Sequence, residues 1–564
     1  MKKILKNCLL MLVAGAFAVS CADYNDQGGF SIPADPGTTR PYADLGAVKS
    51  YINTEAYPNM SIDAAVNLKT FNEQKAANAV SHSAVLTNFT GLAFGYSFMP
   101  DKYVSKKGYM NFMDLKSALS HVESIGGQVY GSPIVANEQQ SDEWFEALTA
   151  PIEVQVLPID DKELDYSTVN EFTGKAVSGK PSIVKNFDDK GNALKIPKRA
   201  KVWIIQDFPL DPHGYYTITF TVKSEIAKDE TVICTFADNK IMSGKDPRKY
   251  TIRPDAWQTI KVEAAPAEGA TEAYLMIEGN LNSVLYIRNV KVTHTPDNHR
   301  DQTKQEKNDT IRYALNKWCD GLMEANAGRI KSFDLIDKPL DSKAEIEPGI
   351  LDLKHSDEKI FWQDYLEDGT YTGSELYGAT VSKAASAAFE KHGGNPADLK
   401  FFICESGLDD QKRLESLQYW ISKWESHGAK IDGINAELNL IYSEDATTQA
   451  ATVATVNTLL NNLAKTGKLI RLSNFDIKYQ DATGAPVSPT NITDAQRQQL
   501  ADFYGYVLKA YMNTIPSAQQ GGICKSNMVD TSSDPVGLWS KAANGDYIRN
   551  ATYEAFCKAL GGLQ

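Results

Sequence analysis

Cysteine is scarce and badly placed for cross-linking. Seven occur in 564 residues, two of them (Cys8 and Cys21) in the first 21. The other five, Cys234, Cys319, Cys404, Cys524 and Cys557, are far apart, odd in number and never spaced as CxxC. That pattern argues against a disulfide framework and a thiolate zinc site, and it reads as buried structural thiols. No metal and no cofactor is expected. Histidine is almost as rare, and none of the eight stands in a context that suggests a nucleophile–histidine–carboxylate triad. Positive charge is short too. The net charge is −13, and three units more negative once Lys2, Lys3 and Lys6 of a removable leader are gone. No basic stripe offsets this, which argues against nucleic acid as a partner.

What is present begins with that leader. Residues 1–21 run from Met-Lys-Lys-Ile-Leu-Lys through the apolar stretch 9–19 to Ser20-Cys21. The apolar stretch is too short to span a membrane and reads as a secretory signal. Cys21, following small residues, resembles the lipidated cysteine of a bacterial lipoprotein box, with Ala18 where leucine is usual. Asp23 and Asp26 resemble the acidic tag that sends some lipoproteins outward. The expectation is an exported lipoprotein of the outer membrane, facing the cell surface and held by its N-terminal lipid.

Four segments follow. Residues 22–42 are rich in Gly, Pro, Asp and Thr and read as a flexible tether. Over 43–150 helical and short strand-like runs alternate, with candidate strands at 61–66, 79–81 and 128–131 and a helix over 113–125. Over 151–297 the pattern changes to period-two strands, at 215–222, 231–236, 258–262, 272–277 and 284–292, which is the grammar of an all-β sandwich. Over 298–564 alternation returns, with a helix at 311–325, strands at 332–336, 401–404, 433–438, 469–472 and 521–524, and helices at 412–427 and 449–466. Strand–helix alternation on this scale implies α/β architecture: a (β/α)8 TIM barrel carrying an inserted jelly-roll sandwich. An insert after the third strand is expected on the face where loops follow strand ends.

Several motifs resemble glycoside hydrolase family 10, the endo-xylanase barrels. HGAKIDGINAELNL is similar to that family's G-x-x-I-D-G-I-G-x-Q-x-H-L, and LNNLAKTGKLIRLSNFDI to its L-x-x-x-A-x-x-G-x-x-V-x-x-T-E-L-D-I. KSFDLIDKPL resembles W-D-V-V-N-E-P, and Gly108–Phe112 the G-K-F-N-F turn. GYYTITFTVKS and the strands after it resemble jelly-roll carbohydrate-binding modules. The family's acid/base and nucleophile are glutamates, and at those positions stand Lys338 and Asn474. Retaining hydrolysis needs two carboxyls about 5–5.5 Å apart. Lysine cannot alternate as a carboxyl does, and asparagine is a poor nucleophile. The grip on the sugar changes as well: Asp337 stands for the Asn before the acid/base, SPIVAN (132–137) for H-T-L-V-W-H, Glu437 for Gln and Asn439 for His. The E-N-E-M-K of the second strand is matched to 83–87, and the W-G-V-T-D of the eighth to 526–530.

The resemblance therefore implies no catalytic residues and a glycan-binding role. It implies a partner polysaccharide, xylan or another β-linked glycan, and an outer-membrane uptake transporter as a further partner. Sugars stack on exposed rings, with amides and carboxylates taking the hydroxyls. The candidate binding residues are Trp203, Tyr216, Tyr250 and Trp257 in the insert, and Asp337, Glu437, Asn439 and Trp539 in the barrel. Asp334 and Asp476 read as structural, Glu405 as a solvated loop acid, and Trp362 as packing. Two other readings stay open: a hydrolase with a relocated carboxylate pair, and a scaffold that docks other glycan-uptake proteins.

Overall fold

The computed structural model describes residues 42–561, apart from 77–79, 226–229, 241, 244–245, 248–249, 253–255, 279–281 and 543–544. The leader, Cys21 and residues 22–41 of the tether lie outside the described residues. Among the described residues, no helix is long and apolar enough to cross a membrane.

The chain divides into two units, one of residues 1–149 and 303–564, the other of Ala150–Gln302. The first is a closed eight-stranded parallel barrel. Its strands are β1 (Ile62–Ala65), β2 (Gly91–Ala93), β3 (Gln128–Tyr130), β4 (Ser332–Asp337), β5 (Lys400–Glu405), β6 (Gly433–Ser443), β7 (Leu469–Gln480) and β8 (Gln520–Lys525). β1 to β3 and β4 to β8 pair in parallel with their neighbours, and β1 joins β8 through Ile62 opposite Ile523. The β3–β4 seam is the irregular one. It is made by a Gly131–Phe333 bridge and by the short strand Val135–Ala136 beside Ile336 and Asp337. A Cβ on Gly131 would sit 2.1 Å from the Phe333 ring, so glycine is required there.

Strands buried on both faces should be continuously apolar. Phe401–Cys404 and Leu335–Ile336 obey this and are buried. Capping fixes where the helices of the outer ring start. Thr303 with Glu306, Thr372 with Glu375 and Thr493 with Gln496 form capping boxes ahead of helices Lys304–Asn326, Gly373–Lys391 and Asp494–Thr514. Indoles tie the layers together: Trp318 Nε1 donates to Ile134 O at 2.8 Å beside the strands, and Trp424 Nε1 to Ser374 O at 2.8 Å in the neighbouring helix.

The segment expected to be the second strand is not one. Val80–Asn88 is a helix, and β2 lies beyond it. Its buried residues Ala84 and Val85 pack as a helical face, and the turn that ends it delivers Thr90, whose hydroxyl binds Ile62 N and O at 2.8 Å. Consequently the loop at the end of β2 is 94–98, and the match of 83–87 to a catalytic-face motif falls away.

The second unit is a sandwich of two six-stranded antiparallel sheets. Tyr215–Ser224 alternates as the period-two pattern requires, with Tyr216, Ile218, Phe220 and Val222 buried. Strands Ile159–Asp165, Ala193–Ile196 and Lys201–Gln206 escape the sequence reading. The unit ends five residues later than expected, because His299 and Arg300 pair with Ile152 and Glu153 to form its stem.

Candidate functional site

All eight strands of the barrel run the same way, so their C-terminal ends share one mouth. There Lys338, Asn474 and Glu437 gather over a cavity of about 260 Å³, with Tyr96 and Asp337 beside them. The backbone is irregular at each position. The strand register breaks between Asp334 and Ile336, between Glu437 and Asn439, and between Leu472 and Phe475. Lys338 and Asn474 both lie in the left-handed region, at φ 43° and 53°. Bulges and such conformations re-aim side chains and persist only where the scaffold enforces them.

The polar groups form a chain from Glu437 through Lys338 and Tyr96 to Asp337. Lys338 Nζ is 2.8 Å from Glu437 Oε1 and donates to the Tyr96 hydroxyl at 3.1 Å. That hydroxyl donates to Asp337 Oδ2 at 2.7 Å. Burial pulls the Lys338 pKa down, but the hydrogen bond to Glu437 and the charge of Asp337 outweigh it, so the ammonium form is strongly held. On the far side Asn474 Oδ1 accepts from Ser526 Oγ at 3.1 Å.

Below this layer Asp334 is buried. It accepts from Tyr130 Oη at 2.7 Å and from Asn435 Nδ2 at 3.0 Å on both oxygens. Burial raises its pKa to about 7 against those hydrogen bonds. A carboxyl with this titration would suit general acid catalysis, but both of its oxygens are already engaged by these side chains. Lower still, Arg471 pairs with Asp63 at 2.7 Å and lies over the Tyr130 ring at 3.7 Å. Asp476 pairs with the fully buried Lys525, whose pKa burial lowers against the pull of Asp476. Asp334 and Asp476 are thus structural, as their positions suggest. Glu405 is not a solvated loop acid: it is wholly buried, 2.8 Å from Arg413 and bonded by the amides of Leu340 and Ser406.

Donor atoms of Asp337, Cys404 and Glu437 lie within 4.8 Å of one another, close enough to consider a metal. The Lys338 ammonium already supplies positive charge beside Glu437. Burial also holds the Cys404 thiol well above its usual range, away from the thiolate that ligation needs. The donor set does not fit a metal.

Of the candidate binding residues, Asp337 and Glu437 come together at the mouth, beside Lys338 and Asn474 at the two catalytic positions. Asn439 is exposed one turn of the pleat beyond, opposite Asp476 in the register. Trp539 is fully buried against Tyr553, and Tyr216 is sealed in the sandwich core against Phe236. Trp203 is 7% exposed, stacked on Tyr274 at 3.8 Å and covered by Lys175 Nζ. None of these three is a sugar platform, because each ring spends its apolar face on core packing. Trp257 is half-buried, with the Arg288 guanidinium over its ring at 4.3 Å. Tyr250 lies in strand Tyr250–Ile252, and its side chain is outside the described residues. Trp362 packs edge-on against Phe145, as its context suggests. Sequence reading missed Tyr96, Tyr130, Asn435 and Arg471. Tyr96 was hidden by the misplaced second strand. A lone arginine inside the apolar strand LIRLS was a signal that a buried ion pair lay opposite.

The model of Glycosyl hydrolase family 10 matches residues 292–547. Among solved structures, the chain is similar to Penicillium canescens endo-1,4-beta-xylanase XylE, at 12% identity, covering 91% of this chain and 97% of that one with a TM-score of 0.47. It is similar to xylanase B from Clostridium stercorarium F9, at 12% identity, 91% and 99% coverage and a TM-score of 0.48. It is also similar to TsXylA, an intracellular xylanase from Thermoanaerobacterium saccharolyticum, at 11% identity, 91% and 98% coverage and a TM-score of 0.47.

Proposed function

We propose that the protein is a surface lipoprotein that binds a polysaccharide at the barrel mouth without cleaving it, a pseudoenzyme of the xylanase type. The Lys338–Glu437 ion pair carries this reading. It places a lysine where the family resemblance puts a proton-shuttling carboxyl, and it ties up Glu437 as the lysine's counter-ion. Asn474 at the nucleophile position offers a neutral amide that can hold a hydroxyl and cannot form a glycosyl ester. Tyr96, Asp337, Asn474 and Ser526 supply the mixture of ring and polar groups that sugar hydroxyls need. The polysaccharide class, xylan or a related β-glycan, rests on the family match and the motif resemblance. Attachment through Cys21 rests on the leader, and partnership with an outer-membrane uptake transporter on the resemblance to glycan-capturing barrels.

A second reading is supported by one distance. Carboxylate oxygens of Asp337 and Glu437 approach within 4.8 Å, near the separation that retaining hydrolysis requires. One experiment separates the two. The mature protein is titrated calorimetrically with soluble xylan and a panel of other β-glycans, and the same mixtures are assayed for new reducing ends. Heat without reducing ends, weakened tenfold or more by Asn474→Ala, is the expected result. Steady reducing-end release that Asp337→Asn or Glu437→Gln abolishes would establish the hydrolase and overturn the binding reading.

A further inference from the structure

The barrel has a second polar cavity at the opposite mouth, of about 310 Å³. Ser61, Thr90, Gln128, Ser332 and Lys400 stand at or just before the starts of β1 to β5 and line it. The segment ahead of β1 lies across it, tied down where Asn59 Nδ2 donates to Ala518 O at 3.2 Å. Gly522 in β8 leaves room for the side chains beside it: a Cβ there would come 2.4 Å from Ser61 Oγ and 3.0 Å from Arg471 Nη1.

Its charges do not balance. Arg471 is neutralised by Asp63, whose oxygens also take the Ser61 hydroxyl at 2.9 Å and the Thr90 hydroxyl at 3.3 Å. Lys400 has no such partner. Its ammonium donates to the neutral amide oxygen of Asn59 at 2.6 Å and meets no carboxylate within ion-pair distance among the described residues. Arg471 is 1% exposed, yet its Nε and Nη2 find no oxygen acceptor; the nearby Cys524 sulfur is at best a weak one. Buried donors left unmatched in this way are costly, and a bound ion is one way to satisfy them. A surplus cation, unused guanidinium donors and the side chains of Gln128 and Ser332 make a receptor for an anion.

We propose that this lower mouth is a binding site for a small, singly charged oxyanion or carboxylate, with Lys400 as its principal cation and the Arg471 layer as its floor. The upper cleft and this site share Arg471 and Tyr130 as a common wall, so they are separate compartments of one barrel.

The test is calorimetry of the mature protein with sodium glucuronate and with inorganic phosphate, at fixed ionic strength, with glucose as the uncharged control. Binding of one of the anions at millimolar Kd or tighter, with none for glucose, is expected. Glucuronate alone would identify the carboxylate, and phosphate alone the inorganic ion. Lys400→Gln should weaken binding at least tenfold. Asn59→Asp, which places a carboxylate against Lys400 and cancels the surplus charge, should abolish it while leaving the melting temperature unchanged or higher. Lys338→Ala, in the upper cleft, should have no effect. Absence of binding by both anions, equal affinity in Lys400→Gln and Asn59→Asp, or loss on Lys338→Ala would each overturn the site.

Discussion

Asp334 is the residue whose chemistry depends most on its surroundings. Aspartate titrates near 3.8 in an unfolded chain and Asp334 near 7 in the fold. Between those values the native state keeps a proton that the unfolded chain has lost, so its contribution is full below 3.8 and falls away as pH rises through 7. The slope approaches ~1.4 kcal/mol per pH unit for one such group. Asp334→Asn removes the titration and keeps an acceptor for Tyr130. Urea unfolding at pH 5 and pH 8 should show the wild type losing about 2–3 kcal/mol more than this variant; equal losses would mean that Asp334 is ionised throughout. Lys338 tests the polar chain above it. Replacing it by Met keeps the apolar stem and deletes the cation, stranding Glu437 beside Asp337. A loss of about 1–3 kcal/mol at pH 7 is expected, the range for removing one partner of a partly buried pair. No change in the urea midpoint would show the pair to be ornamental to stability.

At the scale of elements, most of the barrel was legible and the reason is periodicity. Strands such as Phe401–Cys404 are short apolar runs between charged turns, and the helices between them are long and amphipathic, so each announces itself. β2 did not. It is a three-residue strand, Gly91–Ala93, beside a helix whose residues Ala84, Val85 and Leu86 are just as apolar, and run length could not separate the two. Of the missed strands of the insert, Ile159–Asp165 escaped because it is charged and largely exposed. At the site, Lys338 and Asn474 were visible through motif position. The depth of Trp203, Tyr216 and Trp539 was not, since an aromatic in a strand reads the same on either face. β2 also supplies a prediction. A Cβ on Gly91 would meet Asp63 Oδ1 at 2.6 Å and Gln128 O at 3.0 Å. Gly91→Ala should therefore displace the carboxylate that neutralises Arg471 and cost about 1–3 kcal/mol, the range for overpacking. Chemical denaturation checks this, and a silent substitution would mean that β1 and β2 part easily.

On the scale of the molecule, the insert behaves as a body with its own core. Ile218, Phe220, Val222, Leu275 and Ile287 form a cluster within the sandwich, and the barrel core is built without them. Residues 150–302 made alone should unfold in one cooperative, reversible thermal transition. A gradual melt without a baseline would show that the sandwich needs the barrel. The stem gives that independence a further meaning. The two ends of the insert leave side by side, with Gln302 Nε2 on Ala150 O at 3.0 Å and Val154 N on Asn298 O at 2.6 Å. A domain whose entry and exit are neighbours can be cut from a gene at two points and replaced in frame by another of any length, or by a short hairpin, with no demand on the host fold. Lineages carrying this barrel are free to trade what it displays through recombination, while the eight strands beneath accumulate change only one residue at a time.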